Sequence, residues 1–208
     1  MSTYILHIET APLPLEELVK KAPEFKASAV LKDPVKIADD IEKKKKKYFD
    51  EARFYEATGY VCAYILWDVE RGASDGAECD NPADEKALLV ELYDKFSAGT
   101  GASVVTFGGS KYRLPYICRR AVQYGEMDFF HLFYDGWTGE PKKRHMDLAQ
   151  KWACLDDHLP ETIKEITSVV GINYTPSETP YYQLGAEDKT NRLVDELETV
   201  FAVWSLLK

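Results

Sequence analysis

No apolar run in this 208-residue sequence approaches the length of a helical membrane span. The first residues carry no basic stretch followed by an apolar core, so no secretory leader is expected. Cysteine is scarce: Cys62, Cys79, Cys118 and Cys154 are far apart and form no CxxC pair. That spacing supports neither a zinc site nor a disulfide framework, and it suits reduced, mostly buried thiols in a cytoplasmic protein. Positive charge is also short. The net charge is -9, whereas a dedicated nucleic-acid binder is more often basic. A metal-dependent nuclease can be acidic, because metal balances its carboxylates.

What is present is a globular composition, 45% hydrophobic and 12% aromatic, in a chain long enough for one domain with a substantial core. The order of elements predicts an α/β sheet. Residues 4–10, YILHIET, form a β-prone run ending in a polar cluster, with His7 and Glu9 on one face because side chains alternate. Two ligand-type side chains there can hold a metal, or simply meet water at a strand end. Asp33-Pro34 reads as an N-cap and first helical residue. The helix behind it carries five lysines, 43–47, which could bind phosphate but more often mark a solvated face. Residues 59–69 read as a central strand and 71–80 as a turn and third strand. Asn81-Pro82 caps a helix to about 96, ended by Gly99 and Gly101, and 103–107 is a short buried strand. Residues 127–137 are dense in aromatics, including Trp137, which suits a core before it suits base stacking. A helix over 161–170, a loop over 174–186 and a last helix over 188–207 complete the chain.

Five stretches carry a resemblance. The first strand ends His7-x-Glu9-Thr10, where the DEDD 3'-5' exonucleases of RNase H-like fold have Asp-x-Glu-Thr. Residues 106–125, TFGGSKYRLPYICRRAVQYG, resemble the second exonuclease motif. Phe107, Gly109, Tyr112, Leu114, Pro115 and Arg119-Arg120 match; Gly108 replaces Asn, and Arg113 replaces a metal-binding Asp. His145-x-Asp147-Leu148 matches a further step, where Asp147 also reads as an N-cap. In the last helix Asp195 matches the third motif, and Asn191 stands where the family has Tyr or His. Lys-Asp-Pro-x-Lys-Ile before a Thr-Gly-x-Val strand is similar to the branch related to the exonuclease domain of family B DNA polymerases.

The resemblance implies a single exonuclease-like domain over 1–208, with a helical insertion at about 11–55. It implies a mixed five-stranded sheet flanked by helices, with the first three strands antiparallel and two more parallel to the first. The family positions are His7, Glu9, Arg113, Asn191 and Asp195. Thr10, Gly109, Tyr112 and Arg119 would meet nucleic acid. Glu9 and Asp195, with Asp147 as a further candidate, are the carboxylates left for metal. Two divalent ions normally do this chemistry on oxygen ligands. An inward Arg113 would oppose them: unit charges 4 Å apart interact by about 4 kcal/mol at an effective dielectric of 20, and a divalent ion feels roughly twice that. The expectation is therefore a catalytically degenerate exonuclease fold with no cofactor, binding single-stranded nucleic acid or a replication or repair protein and no membrane. An active nuclease using Mg²⁺ or Mn²⁺ on altered ligands, and an interaction module without a nucleic-acid role, are the alternatives. Arg113 is expected to pair with Glu9 or Asp195, with His7 hydrogen-bonded at the edge.

Overall fold

Strand β1, Thr3–Pro12, sends successive side chains to opposite faces of a sheet. Leu6 and Ile8 enter one apolar layer and Ile5 the other, so His7 and Glu9 share the face of Ile5. These contacts come from a computed structural model that describes residues 2–98, 102–125, 128–134, 144–153, 160 and 162–207. Gly99, Gly101, Met127, Trp137, Cys154 and Glu161 lie outside the described residues.

Strand β2, Gly59–Asp68, lies beside β1. The Val69 amide donates to the Thr3 carbonyl at 3.0 Å, so the end of β2 meets the start of β1 and the pair is antiparallel. Strand β3, Ala73–Glu78, folds back antiparallel on β2. On the other flank β4, Ser103–Thr106, runs parallel to β1, and β5, His145–Asp147, parallel to β4. The order is β3-β2-β1-β4-β5. This is the expected α/β mixed sheet of five strands flanked by helices.

By its internal contacts the chain divides into two units, residues 10–60 and the rest. The smaller unit holds α1 (Leu15–Lys21) and α2 (Pro34–Asp50). Asp33 caps α2 by accepting from the Val35 amide at 2.9 Å, with Pro34 in the first turn. Helix α2 buries no residue. Lys44 pairs with Asp40, four residues back, and Lys47 with Glu51, four residues on. The lysine run is therefore a solvated face laced by pairs one turn apart.

In the larger unit the sheet is packed on both faces. Against one lie α3 (Glu85–Ala98), α4 (Leu114–Tyr124) and α5 (Asp128–Phe133). Leu89, Leu92, Ile117, Phe129 and Phe133 meet Leu6, Ile8 and Val104 there. Against the other lie α6 (Leu148–Ala153), α7 (Ile163–Val170) and α8 (Ala186–Leu207). Leu148, Ile166, Val200 and Val203 cover Ile5 and Val105. Each such buried aliphatic side chain contributes roughly 1.5–3 kcal/mol. Of the aromatics of α5, Phe129 and Phe133 fill this core, the first fully buried and the second nearly so, while Phe130 is exposed. Burial pushes the thiols of Cys79 and Cys118 up to about 12, which keeps them unreactive near neutral pH.

Candidate functional site

Between β4 and α4 the chain winds as a π-helical turn, Gly109–Arg113. Gly108 precedes it at φ 65°, a left-handed conformation that costs a side-chain-bearing residue energy. At Gly109 the reason for glycine is space: a Cβ would stand 2.0 Å from Thr106 Oγ1. Asp147, at the end of β5, fixes this turn from the neighbouring strand. Its Oδ1 accepts from the amides of Gly108 (2.8 Å) and Ala149 (3.0 Å), and its Oδ2 from Ser110 (2.8 Å). The carboxylate thus caps α6 and holds the π turn at once. His145, two residues earlier, lies 2.8 Å from Thr106 Oγ1. Burial holds its pKa below the ordinary value, against the opposing pull of Asp147.

Glu9 is the focus of the opposite face. It is 7% exposed and His7 is 3% exposed. His7 Nε2 donates to Glu9 Oε1 at 3.2 Å, so strand alternation does place the two together. The cation on Glu9 is Arg192 of α8, whose Nη2 lies 3.2 Å from the same oxygen. Nη1 of Arg192 donates to the Thr179 carbonyl at 2.6 Å. Burial alone would raise the pKa of Glu9; the His7 hydrogen bond and the charges of His7, Arg192 and Arg113 outweigh it and hold it below the ordinary 4.5.

Arg113 does not make the expected direct pair with Glu9 or Asp195. Its half-buried guanidinium turns back and donates to the Phe107 carbonyl. Among the described residues no ion pair joins it to Glu9 or Asp195, and it acts on Glu9 only through its field. Winding five residues per hydrogen-bonded turn instead of four changes the direction of the last side chain. Arg192, one residue beyond Asn191, is what the motif reading missed. A cation three residues before Asp195 on one helix face was the available signal.

Asn191 and Asp195 are exposed on α8. They line a cleft of about 350 Å³ with Tyr174, Asp188, Arg192 and Glu196. Tyr174 donates its hydroxyl to Glu196, which ties the 171–185 loop to the helix. Of the other candidates, Gly109 is buried within the π turn, and Tyr112 is half-buried with its ring 5.5 Å from that of Tyr116. Arg119 is exposed and Thr10 is buried.

The donor set does not fit a divalent ion. Glu9 Oε1 already meets a guanidinium and an imidazole N–H, and Asp147 spends both oxygens on three backbone amides. Mg²⁺ and Mn²⁺ need several oxygen ligands carrying negative charge. Among the described residues no three His, Cys, Asp or Glu side chains are grouped to hold a metal.

The pKa direction at Glu9 sets a pH dependence. The folded value lies below 4.5, so the stability it adds is present above that pH and lost as pH falls through the folded value. Urea unfolding of wild type and Glu9→Gln, followed from neutral pH down through 4.5, should show the wild-type advantage shrinking on acidification. Parallel curves would mean the carboxylate is not held in its charged form.

No protein-family model matches this sequence, and no curated protein sequence matches it. By structure the chain is similar to the family B DNA polymerase from the hyperthermophilic archaeon Pyrobaculum calidifontis. The match has a TM-score of 0.59 at 13% identity and covers 100% of this chain and 24% of that one. At this identity the likeness speaks for the fold alone, and the fold it supports is the RNase H-like α/β architecture. The chain spans about a quarter of the polymerase's length. Among the described residues no helix is long and apolar enough to cross a membrane.

Proposed function

We propose that this chain is a 3'-5' exonuclease-like domain of nucleic-acid metabolism that has lost metal-dependent hydrolysis and retains binding of single-stranded nucleic acid. The observation that carries the first half is the state of Glu9: the first-motif carboxylate that remains is buried and paired with Arg192 and His7. Hydrolysis by the family's route needs that carboxylate for metal. The replacements at His7, Arg113 and Asn191 point the same way, since together they remove two ligand charges and the residue that orients water.

Binding is supported by the fold likeness to part of a DNA polymerase and by cations around the second motif. Lys111 and Arg119 are exposed, and Arg113 lies behind them on the π turn. Arg119 would contact phosphate, which positions a strand without reading its sequence. The net charge of -9 argues for modest affinity that falls steeply with salt. The same surface could seat a replication or repair protein, and oligonucleotide binding separates the two.

Fluorescence anisotropy with a labelled single-stranded oligonucleotide tests this. Binding should be detectable at low salt, and log K should fall with log salt by about 0.7 per phosphate neutralised. Arg119→Ala should flatten that slope by about one such contact. No binding at low salt would remove the nucleic-acid half. Release of nucleotides with Mg²⁺ or Mn²⁺, abolished by Glu9→Ala, would remove the non-catalytic half.

A further inference from the structure

We infer that Arg192 is the resident cation of the Glu9 site, standing where a divalent ion would otherwise be drawn, so that this site is completed without metal. Three segments meet on this one side chain. Nη2 pairs with Glu9 Oε1 at 3.2 Å on β1, and Nη1 donates to the Thr179 carbonyl at 2.6 Å in the loop before α8. The residue itself belongs to α8. Its side chain is 17% exposed and that of Glu9 9%, so solvent screens the pair little. His7 supplies the hydrogen-bond donor to the same oxygen, at 3.2 Å, beside the ion pair with Arg192.

A guanidinium differs from a bound ion in what it does to the site. It cannot dissociate, so the Glu9 charge is compensated at every metal concentration. It also cannot polarise a phosphate and activate water together, as a metal pair does. Its fork is rigid and directional, so it fixes the distance between β1 and the loop carbonyl of Thr179. Arg192 therefore has a structural duty that metal carries elsewhere, and removing it should open the site to metal again. Glu9 and His7 would then be left as one oxygen and one nitrogen donor, to which Mn²⁺ would add water oxygens to fill its shell.

Mn²⁺ binding followed by the EPR signal of free ion, with thermal melts in parallel, tests this on the full chain. The proteins are wild type, Arg192→Met and the double variant Glu9→Gln with Arg192→Met. Wild type should take up no Mn²⁺ at this site and should melt at the same temperature with and without it. Arg192→Met should melt lower, bind Mn²⁺ at least about tenfold more tightly than wild type, and recover part of its lost melting temperature when the ion is added. The double variant should melt above Arg192→Met, because neither charge is left buried alone, and should ignore Mn²⁺. It keeps the test open if Arg192→Met alone does not fold. Wild type binding Mn²⁺ as tightly as Arg192→Met would overturn the inference. So would a double variant that melts no higher than Arg192→Met, or an Arg192→Met that melts as wild type does. None of these readouts involves nucleic acid, so a chain that binds no oligonucleotide would still return them.

Discussion

Replacing Glu85 by Ala should cost about 3–5 kcal/mol, the range for a buried ion pair that loses one partner. Glu85 opens α3 with no exposed surface, and Arg120 of α4 is 5% exposed. Arg120 Nε lies 2.9 and 3.0 Å from the two carboxylate oxygens, and Nη2 donates to the second as well. The Val61 amide at the start of the sheet donates to Oε1 at 2.7 Å, and the Tyr124 hydroxyl to Oε2 at 2.6 Å. Burial, then the bond to Glu85, pushes the Tyr124 phenol up to about 12. One carboxylate thus joins β2, α3 and α4, and alanine would leave a guanidinium, an amide and a hydroxyl without it. For a chain of this length the melting temperature should fall by roughly 10 °C. Glu85→Gln keeps the shape and part of the bonding, and should lose less. Glu85→Leu combined with Arg120→Met should cost less than Glu85→Ala alone, because both charges leave together. Additive losses in that cycle would show the two side chains to be independent, contrary to their geometry.

This network shows where sequence reading stops. Arg119-Arg120 reads as a motif pair, and nothing in the sequence says which of the two turns inward. The fold shows it, with Arg120 buried on Glu85 and Arg119 exposed. Alternation in YILHIET was enough to put His7 beside Glu9, because strand geometry is local. The Asp33-Pro34 cap and the apolar spacing of α3 were legible for the same reason. The partner of Glu9 was not. It depends on where the 171–185 loop delivers the Thr179 carbonyl, and on the π winding that turns Arg113 back to Phe107. Both are set by tertiary closure, and the motif alignment pointed to Arg113 because the family's ligand stands at that position. Asp147 reads as an N-cap and does cap α6, accepting from the Ala149 amide; what the motif did not show is that His145–Asp147 is also a short parallel strand.

Asp147→Ala should be nearly as damaging as the loss of Glu85, about 3 kcal/mol or more, and for a reason unrelated to metal. Its carboxylate receives three backbone N–H groups, from Gly108, Ser110 and Ala149, within 3.0 Å. A bond to a charged acceptor contributes about 1.5–3 kcal/mol, and an amide left buried without a partner costs about 1–3 kcal/mol. The three bonds do not add fully, since Ser110 and Ala149 can reach water once the turn loosens. The Gly108 amide has less freedom, because Gly108 is held in a left-handed conformation and Gly109 is pressed against Thr106. Asp147→Asn offers one oxygen in place of two and no charge; with that oxygen in the Oδ1 place it should keep the Gly108 and Ala149 bonds, the cap on α6 included, and lose the Ser110 bond, where its NH₂ would face the amide N–H. Its loss should fall between wild type and alanine. Hydrogen exchange distinguishes this from a metal role. In Asp147→Ala, protection should drop first at 108–113 and at the start of α6, with or without Mg²⁺ present. A loss of stability that appeared only when Mg²⁺ was removed from wild type would instead make Asp147 a ligand, and its three amide bonds incidental.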